Sequence, residues 1–318
     1  MQTLFIGIDG GGTKTDVVCA DSQGKALGTG QSGPTNLTST NVGAASFNLK
    51  EAVRQSLQSV TEEYEIDTAA MGLAGIDIEE EYNQAFTAFR EILSQFGVKK
   101  FTLYHDSQIA LANAAARANA VVLISGTGSA CLGRNDQGET AKAGGMDYLL
   151  TDQGSGYDIG RHTLREAVKS YDGRRSKTML EEMVRKHFGI DSLNKLKLRL
   201  YQPAISKVEV AELAQVCDQA FQKGDAAAKQ IFYWAQEELM LLVQAVVRKL
   251  QLDQKAFDLV MTGSILGLSH VREPLVSRLQ SIYPLMNVIM PNQPAVYGAL
   301  KLALEDGKHV QEDPPTPV

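Results

Sequence analysis

A strand, a turn rich in glycine and threonine, and a second strand occur twice in this chain, and this repeat constrains the fold more than any other feature. The first copy runs from an apolar stretch at residues 3–9, through a turn at 10–15, into a second strand. The other copy runs from an apolar stretch at 121–124, through a turn at 125–128, into a second strand. Two lobes built on one plan are therefore predicted.

Helices and strands alternate around these two copies. Helical spacing is found at 44–64, 79–96, 109–118 and 295–305, and further strands are predicted at 25–31, 69–74, 101–104 and 257–261. Residues 155–250 are mostly helical in pattern. Such alternation predicts an α/β fold with parallel strands and helices packed on the sheets.

The length of the chain predicts two domains. Its 318 residues exceed the roughly 100–200 residues of one domain, and 44% hydrophobic residues are enough to build two cores. We place an N-terminal lobe at 1–118, a C-terminal lobe at 119–294 and a last helix at 295–306. The tail at 307–318, rich in proline and acidic residues, is predicted to be disordered.

Charge and composition exclude several classes of protein. The net charge of −6 disfavours a nucleic-acid partner, since such binders carry a basic excess. No run reaches the ~18 apolar residues of a membrane helix, and no basic leader precedes the first strand. The scattered Cys19, Cys131 and Cys217 favour reduced thiols in a cytoplasmic protein and argue against a closed zinc site.

The first turn has the composition of a phosphate-binding loop. Its six residues are Gly10, Gly11, Gly12, Thr13, Lys14 and Thr15. We expect the glycines to adopt positive φ and to leave room for a ligand, while backbone N–H groups and the two threonine hydroxyls hold phosphate oxygens. Lys14 adds positive charge, and Asp9 at the strand end is a candidate Mg²⁺ ligand. The loop is not a P-loop, which needs Gly directly before Lys and a following helix.

Two further glycine turns fit a nucleotide. Gly126, Thr127 and Gly128 repeat the first turn, so the two loops are predicted to hold one polyphosphate from both sides. Gly263 and Ser264 lie where a strand passes into a helix, and a glycine there permits the close approach of a flat ring such as adenine.

Two acidic residues are candidates for direct roles in chemistry. Asp106 follows the strand at 101–104, and functional residues of open α/β sheets favour the carboxyl ends of strands. It either accepts a proton from an attacking hydroxyl or caps the next helix. Asp152, in a loop rich in Gly and acidic residues, either accepts hydrogen bonds from sugar hydroxyls or caps the helix after it.

One glycine pattern is misleading. Residues 28–33 match the dinucleotide fingerprint G-x-G-x-x-G. That motif must open a helix, but Pro34 follows here. A strand end and a loop are predicted instead.

Together these motifs resemble the sugar kinase–Hsp70–actin superfamily. Within it the chain is most similar to the N-acetylglucosamine and glucosamine kinases, the group also named for the ATPase subunits of benzoyl-CoA reductase. The resemblance extends from the first loop to residues 294–299. It implies an α/β fold of two ribonuclease H-like lobes with an interlobe active-site cleft, lobes that close over the substrate, and a last helix that packs back on the first lobe.

The resemblance also implies roles for individual residues. Gly10 to Thr15 is similar to the family's first phosphate loop, residues 126–129 to the second, and residues 262–264 to the adenosine loop. Asp106 matches the catalytic base. The sugar contacts would come from Asn36, Gly144, Gly145 and Asp152. The cofactors implied are ATP and Mg²⁺, and the reaction implied is phosphorylation of an amino sugar at its 6-hydroxyl.

The chain departs from many N-acetylglucosamine kinases beside the predicted sugar. Where those carry a tryptophan, this chain has Met146 and Asp147. A carboxylate there would attract the amine of glucosamine, whereas the thioether of Met146 would pack against an acetyl methyl. We rank N-acetylglucosamine slightly first, with glucosamine and N-acetylmuramic acid as alternatives.

Two other classes of protein stay open. Some relatives are ATP-driven activators of electron-transfer enzymes that bind an iron–sulfur cluster through cysteines between two subunits. The other class is a non-catalytic sugar sensor, although no DNA-binding helix-turn-helix is evident at the N-terminus. The expected partner is a small amino sugar, and a homodimer stays open.

Overall fold

The computed structural model describes residues 1–308, so the predicted disordered tail lies outside the described residues from position 309 onward. The chain divides into two compact units. Unit 1 comprises Met1–Ala120 together with the chain from Ile289 onward, and unit 2 is Val121–Val288. Unit 1 is therefore built from both ends of the chain, whereas unit 2 is one continuous stretch.

Unit 1 contains a five-stranded sheet. Its strands are β1 (Gln2–Gly10), β2 (Thr15–Asp21), β3 (Ala26–Ser32), β4 (Tyr64–Leu73) and β5 (Lys100–His105). Their order is β3-β2-β1-β4-β5, with β1, β4 and β5 parallel and β2 antiparallel to both of its neighbours. The carboxyl ends of the three parallel strands therefore meet at one edge of the sheet.

Helices cover both faces of this sheet. The helices are α1 (Val42–Leu57), α2 (Glu79–Ser94), α3 (Asp106–Ala114) and a C-terminal helix (Val296–Asp306). The larger core lies under α1 and α2, with Leu49 and Phe89 fully buried. On the other face, Val296 and Leu300 of the C-terminal helix pack against Phe5 and neighbouring residues. The last helix of the chain thus completes unit 1.

Unit 2 repeats the sheet of unit 1. Its strands are β6 (Ala120–Ser125), β7 (Ser129–Arg134), β8 (Thr140–Gly144), β9 (Phe257–Thr262) and β10 (Met286–Ile289). Their order is β10-β9-β6-β7-β8. When β6 to β10 are matched in chain order to β1 to β5, this is the order of unit 1 read from the opposite edge of the sheet. The predicted repeat of one plan is confirmed.

The helices of unit 2 form most of its bulk. They are α4 (Gly156–Tyr171), α5 (Leu180–His187), α6 (Leu196–Tyr201), α7 (Lys207–Gln222), α8 (Ala226–Lys249), α9 (Ser264–Gly267) and α10 (Ser269–Ile282). One continuous core joins α4, α7, α8 and α10 to the sheet. Among residues 1–308, no helix is long and apolar enough to cross a membrane.

The structure differs from the prediction in the end of one helix and in two strands that were not predicted. The helix predicted at 44–64 ends at Leu57, and Tyr64 is already the first residue of β4, whose residues 68–73 are all buried. The strand at 257–261 is not the last one, since β10 follows it, and β8 was not predicted. The five residues of β8 include no aromatic side chain and one β-branched residue, so only pairing with β7 identifies the strand. Residues 28–33 lie largely in β3 and open no helix, as expected.

Candidate functional site

The first glycine turn is a hairpin loop between β1 and β2. Gly11 N–H donates to Lys14 O at 3.0 Å, and residues 12–14 are exposed. Gly11 O in turn accepts hydrogen bonds from the N–H groups of Thr35 and Asn36, each at 3.2 Å. The loop is therefore held from behind by the segment that follows β3, while its tip faces solvent.

The glycines of this loop serve packing rather than unusual backbone angles. None of Gly10, Gly11 and Gly12 has positive φ, which corrects the expectation drawn from their sequence. A Cβ on Gly10 would lie 2.5 Å from Thr35 Oγ1, and one on Gly12 would lie 2.9 Å from Ser39 Oγ. Glycine is needed here because residues 35–39 pass directly against the loop.

The three polar side chains of the loop have different environments. Thr15 is fully buried and its hydroxyl donates to Gly33 O at 2.8 Å, so the expectation that this hydroxyl faces a phosphate is wrong. Thr13 is exposed. Lys14 is 58% exposed and pairs with Asp16 at 2.7 Å. Thr13 and Lys14 are therefore available to a ligand, and Thr15 fixes the base of the hairpin.

An acidic group lies at the carboxyl edge of the unit 1 sheet. Asp9 is near the end of β1, Asp106 follows β5, and Asp16 is directly opposite Asp9 in the hairpin. Burial raises the pKa of Asp9 from its usual 3.8 to about 7, with the charges of Asp106 and Asp16 adding to the effect and Lys14 opposing it. The sequence analysis missed Asp16, although a hairpin closed between Gly11 and Lys14 sets this register.

Asp106 begins α3. The helix starts at Asp106 itself, after His105, so the alternative that Asp106 is the cap residue is wrong. Its Oδ1 accepts a hydrogen bond from Ser107 N–H at 2.7 Å, and the side chain is half-buried. A carboxylate in the first turn of a helix is stabilised by the helix dipole.

Asn36 lies between the first loop and the end of β4. Besides the bond from its N–H to Gly11 O, its Oδ1 accepts from both the N–H and the hydroxyl of Thr38 at 2.8 Å each. A Cβ on Gly75, just after β4, would lie 2.8 Å from the same oxygen. The structure thus places the predicted sugar contact beside the predicted phosphate loop.

The second glycine turn joins β6 to β7 and contacts the start of α4. Gly126 N–H donates to Gly128 O at 3.0 Å. Gly126 O accepts from Gly156 N–H at 2.7 Å, and Thr127 O from Tyr157 N–H at 3.2 Å. Thr127 is exposed at the tip. Like the first loop, this one is held by backbone hydrogen bonds to a neighbouring segment, and its tip is exposed to solvent.

Asp152 lies directly behind the second loop. It is 4% exposed; its Oδ1 accepts from Ser129 N–H at 3.2 Å, and its Oδ2 lies 2.9 Å from Lys207 Nζ. A Cβ on Gly128 would lie 2.8 Å from this carboxylate. Asp152 does not cap α4, because Ser155 does so. Oδ1 of the predicted sugar acceptor is thus engaged with the loop, whereas the buried Oδ2 has no hydrogen-bond partner among the described residues.

The chain reverses direction where β8 ends, and three of the four residues at 144–147 have positive φ. Gly144, Gly145 and Asp147 have φ of 73°, 76° and 71°. Gly145 N–H donates to Ser129 O at 3.1 Å, which ties this segment to the second loop. Partial burial raises the pKa of Asp147, but hydrogen bonds from Lys207 and a backbone N–H outweigh it and the pKa is lowered.

A pocket of about 230 Å³ extends from the second loop. One wall is formed by Gly126 and Thr127, and another by Ser264, Ile265 and Leu268. Gly263 at this junction has φ of 106°, and a Cβ there would overlap the carbonyl oxygen of Ser125. The predicted adenosine loop and the second phosphate loop are therefore joined in one pocket within unit 2.

One face of α7 forms the opposite wall, which the sequence analysis missed. Its residues are Val208, Ala211, Glu212, Ala214, Gln215 and Asp218. Most of them follow the i, i+3, i+4, i+7 spacing of one helix face, beside the stripe that is buried in the core. Asp218 Oδ1 lies 3.4 Å from His270 Nε2 on α10. Only the tertiary fold brings this helix face against the second loop, so no local sequence pattern signalled it.

The three cysteines are structural. Cys19, Cys131 and Cys217 are each fully buried as free thiols. Burial raises the pKa of Cys19 to about 11 and that of Cys217 to about 12. No thiol at the surface of either unit is available to bind a cluster shared between two chains.

The acidic group of unit 1 fits a hard cation. Among residues 1–308, no group of three or more His, Cys, Asp or Glu side chains could hold a metal ion by itself. Burial raises the pKa of Asp9, and the negative charges of Asp106 and Asp16 raise it further. A divalent cation would relieve that repulsion, and carboxylate oxygen is the ligand that Mg²⁺ prefers. Mg²⁺ commonly takes one or two carboxylates and completes its shell with phosphate and water.

The two equivalent sheets define a two-lobe fold of the sugar kinase type. A structure from Chromobacterium violaceum, provisionally described as an N-acetylglucosamine kinase, is 22% identical with a TM-score of 0.74, covering 95% of this chain and 98% of that one. A ROK family glucokinase from Streptomyces griseus is 14% identical with a TM-score of 0.59, covering 94% and 98%. The predicted fold class is confirmed.

Residues 6–303 match the BadF/BadG/BcrA/BcrD ATPase family. An N-acetylmuramic acid/N-acetylglucosamine kinase from Clostridium acetobutylicum is 32% identical over 301 residues, or 94% of this chain and 97% of that protein. An N-acetyl-D-glucosamine kinase from Dictyostelium discoideum is 30% identical over 319 residues, or 96% and 99%. A glucosamine kinase from Vibrio cholerae is 28% identical over 193 residues, or 60% and 63%. The chain belongs to the BadF/BadG/BcrA/BcrD ATPase family, as its motifs predicted.

Proposed function

We propose that this chain transfers the γ-phosphoryl group of ATP to the 6-hydroxyl of an amino sugar, with N-acetylglucosamine preferred. By class the chain is an ATP-dependent sugar kinase. The observation that carries the proposal is the pocket that joins the second glycine turn to Ser264, because a nucleoside in it brings its phosphates to that turn. The relatives that span nearly the whole chain are named as kinases of acylated amino sugars.

Unit 1 would supply the reacting groups. Asp106 accepts the proton of the attacking hydroxyl, while Asn36 holds the sugar beside the first loop. Thr13 and Lys14 contact the transferred phosphate. Asp9 would hold Mg²⁺, which neutralises charge on the phosphate oxygens when bound. Most of the acceleration in such a transfer comes from positioning and electrostatic stabilisation.

Unit 2 would supply the nucleotide site. Backbone N–H groups and the hydroxyl of Thr127 hold phosphate oxygens, as the matching turn in unit 1 does. Ser264 and the face of α7 contact the nucleoside. Gly144 and Gly145 shape the segment assigned to the sugar. Asp152 supports the second loop through Oδ1, and its buried Oδ2, which has no hydrogen-bond partner among the described residues, would accept from a sugar hydroxyl.

The test is a coupled assay of ADP release with N-acetylglucosamine, glucosamine, N-acetylmuramic acid and glucose. We expect the highest kcat/KM with N-acetylglucosamine and no transfer to its 6-deoxy analogue. ADP release that never exceeds the rate without sugar would contradict the proposal. N-acetylmuramic acid is the second candidate acceptor, because the Clostridium relative is named for both sugars.

A further inference from the structure

The face of α7 that lines the pocket carries two carboxylates at different distances from the second glycine turn. Ala211 lies beside the turn, because a Cβ on Gly156, whose N–H donates to Gly126 O, would lie 3.5 Å from Ala211 O. Glu212 is the next residue, whereas Asp218 follows Ala211 by about two helical turns, or about 10 Å along the axis. Asp218 therefore lies toward the end of the pocket that is farther from the phosphates.

One oxygen of Asp218 has neighbours that fix it, and the other has none. Gln222 Nε2 donates to Oδ1 at 3.4 Å, and His270 Nε2 lies 3.4 Å from the same oxygen. Among residues 1–308, no group donates a hydrogen bond to Oδ2. The side chain is 27% exposed, so the carboxylate can be reached by a molecule in the pocket that it lines.

The imidazole of His270 does not cancel the charge of Asp218. The ring is stacked on Phe221 with 4.0 Å between the ring centroids, and its side chain is 13% exposed. Burial lowers the pKa of His270, and the charge of Asp218 opposes this effect only in part. The ring is therefore neutral at pH 7, and the negative charge of Asp218 is uncompensated on the wall of the pocket.

The lining of the pocket favours a ligand group that donates hydrogen bonds. Within the part of the chain that the structure describes, the lining includes no lysine, arginine or histidine, and its charged groups are Glu212 and Asp218. A carboxylate accepts hydrogen bonds and donates none. The exocyclic amine of adenine donates and lies on the side of the base that is remote from the phosphates, whereas a 6-oxo group at the same position accepts.

We propose that Asp218 recognises the exocyclic amine of adenine through Oδ2 and so selects ATP against nucleotides with a 6-oxo base. The inference rests on the proposed function and deepens it, because it names the residue that selects the phosphoryl donor. Glu212, which is nearer the phosphates, does not distinguish one base from another.

The experiment compares the binding of ADP and IDP, whose bases carry a 6-amino and a 6-oxo group. Each nucleotide is titrated by calorimetry into the full chain with Mg²⁺. We expect the wild-type Kd of IDP to exceed that of ADP about tenfold or more, because a hydrogen bond to a charged group is lost. Asp218→Asn should reduce this ratio to about threefold or less, since an amide can turn its N–H toward an oxo group. Asp218→Ala should lose the preference as well.

Two control variants separate recognition of the base from general effects on the pocket. Glu212→Gln, on the same face of α7, should change the Kd of ADP and the Kd of IDP by the same factor. Asp191→Asn breaks an exposed pair of 2.7 Å with Lys195 in the same unit and should leave both Kd values unchanged. Thermal melting of each variant checks that it is folded.

The wild-type comparison tests the inference without any variant, because equal Kd values for ADP and IDP would overturn it. If Asp218→Asn removes a preference for ADP over 2′-deoxy-ADP and keeps the preference over IDP, Asp218 binds the ribose and the inference is wrong. A wild-type chain that prefers ADP to IDP through Asp218 and phosphorylates no sugar would overturn the proposed function and leave this inference standing.

Discussion

At the scale of single residues, the carboxyl edge of the unit 1 sheet concentrates negative charge where the proposed chemistry occurs. Asp9, Asp16 and Asp106 come from three different elements, and the charges of Asp106 and Asp16 add to the effect of burial in raising the pKa of Asp9. Groups with strongly perturbed pKa values cluster at functional sites, because burial and like charges are tolerated there for the sake of chemistry.

Asp106→Asn should retain the fold and the binding of sugar but lose kcat. Removal of a general base typically costs about 10²- to 10⁴-fold in rate. The amide is nearly the same size as the carboxylate, so α3 should begin at the same residue. Turnover by the coupled assay and sugar affinity by calorimetry check this. Glu79→Gln, an exposed acid in the first turn of α2, is the control, and near-normal turnover of Asp106→Asn would remove Asp106 from catalysis.

The raised pKa of Asp9 predicts a pH-dependent stability. A carboxyl group that titrates near 7 when folded and near 3.8 when unfolded binds its proton more readily in the native state. Ionisation of Asp9 therefore leaves the free energy of unfolding unchanged below pH 3.8 and lowers it progressively as the pH rises to about 7.

Asp9→Asn should accordingly match the wild-type thermal midpoint at acid pH and exceed it above neutrality. Mg²⁺ should narrow the difference by neutralising the wild-type carboxylate. Melting curves across this range, with and without Mg²⁺, measure both effects. A constant difference between the two proteins at every pH would show that Asp9 does not titrate in this range.

Asp147 should not select between amino sugars. Its carboxylate already pairs with Lys207 at 2.6 Å, which leaves it a poor partner for the amine of glucosamine. We expect Asp147→Asn to change kcat/KM for glucosamine and N-acetylglucosamine by the same factor. A loss confined to glucosamine would restore Asp147 as the residue that recognises the amine.

At the scale of secondary-structure elements, the junction of β9 and α9 sets the shape of the nucleoside pocket. Gly263 combines a positive φ with contact against Ser125, so it brings the end of β9 against the end of β6. The second loop begins at the same point. A change at this junction should affect the pocket and unit 2 together.

Gly263→Ala should lower the free energy of unfolding and weaken the binding of ATP. The backbone conformation alone costs a non-glycine residue about 1–3 kcal/mol, and the new Cβ would overlap the Ser125 carbonyl. Gly267→Ala, at the end of the short helix that Gly263 precedes, is the matched control, since open space surrounds that position and its φ is not positive. Chemical denaturation and titration of an ATP analogue measure the two effects. Equal behaviour of the two variants would show that the junction can relax.

At the scale of the whole molecule, the two similar units are formed from the chain in different ways. Unit 2 is continuous, whereas unit 1 needs the helix Val296–Asp306 from the end of the chain. Lys100 Nζ donates to Asp306 O at 2.8 Å and Tyr104 OH to its carboxylate at 2.9 Å. The second face of the unit 1 sheet is therefore covered by a helix that follows all of unit 2 in the chain.

Leu300→Ala should destabilise unit 1 selectively. Leu300 is 4% exposed, and truncation of a buried leucine costs about 2–5 kcal/mol. Hydrogen exchange should show lost amide protection in β1 and β2 with little change in β6 and β9. Leu285→Ala, at a position that is 55% exposed, serves as the control. Equal loss of protection in both units would show that they unfold as one.

The sequence by itself determined the repeated plan, the class of fold and the positions of both glycine turns. These features depend on local patterns: apolar strands, turn residues and helical spacing act over a few neighbours. The expectation for Asp106 has the same origin, because a residue just after a parallel strand must lie at the carboxyl edge of its sheet.

Only the tertiary structure decided which groups meet. Lys207 lies 55 positions beyond Asp152 in the sequence, and no local pattern pairs them. The face of α7, the inward turn of the Thr15 hydroxyl and the packing against Gly10 likewise depend on segments distant in the chain. Such contacts form when many weak interactions across a whole unit are satisfied together. A local sequence pattern involves only a few neighbouring residues and therefore does not predict them.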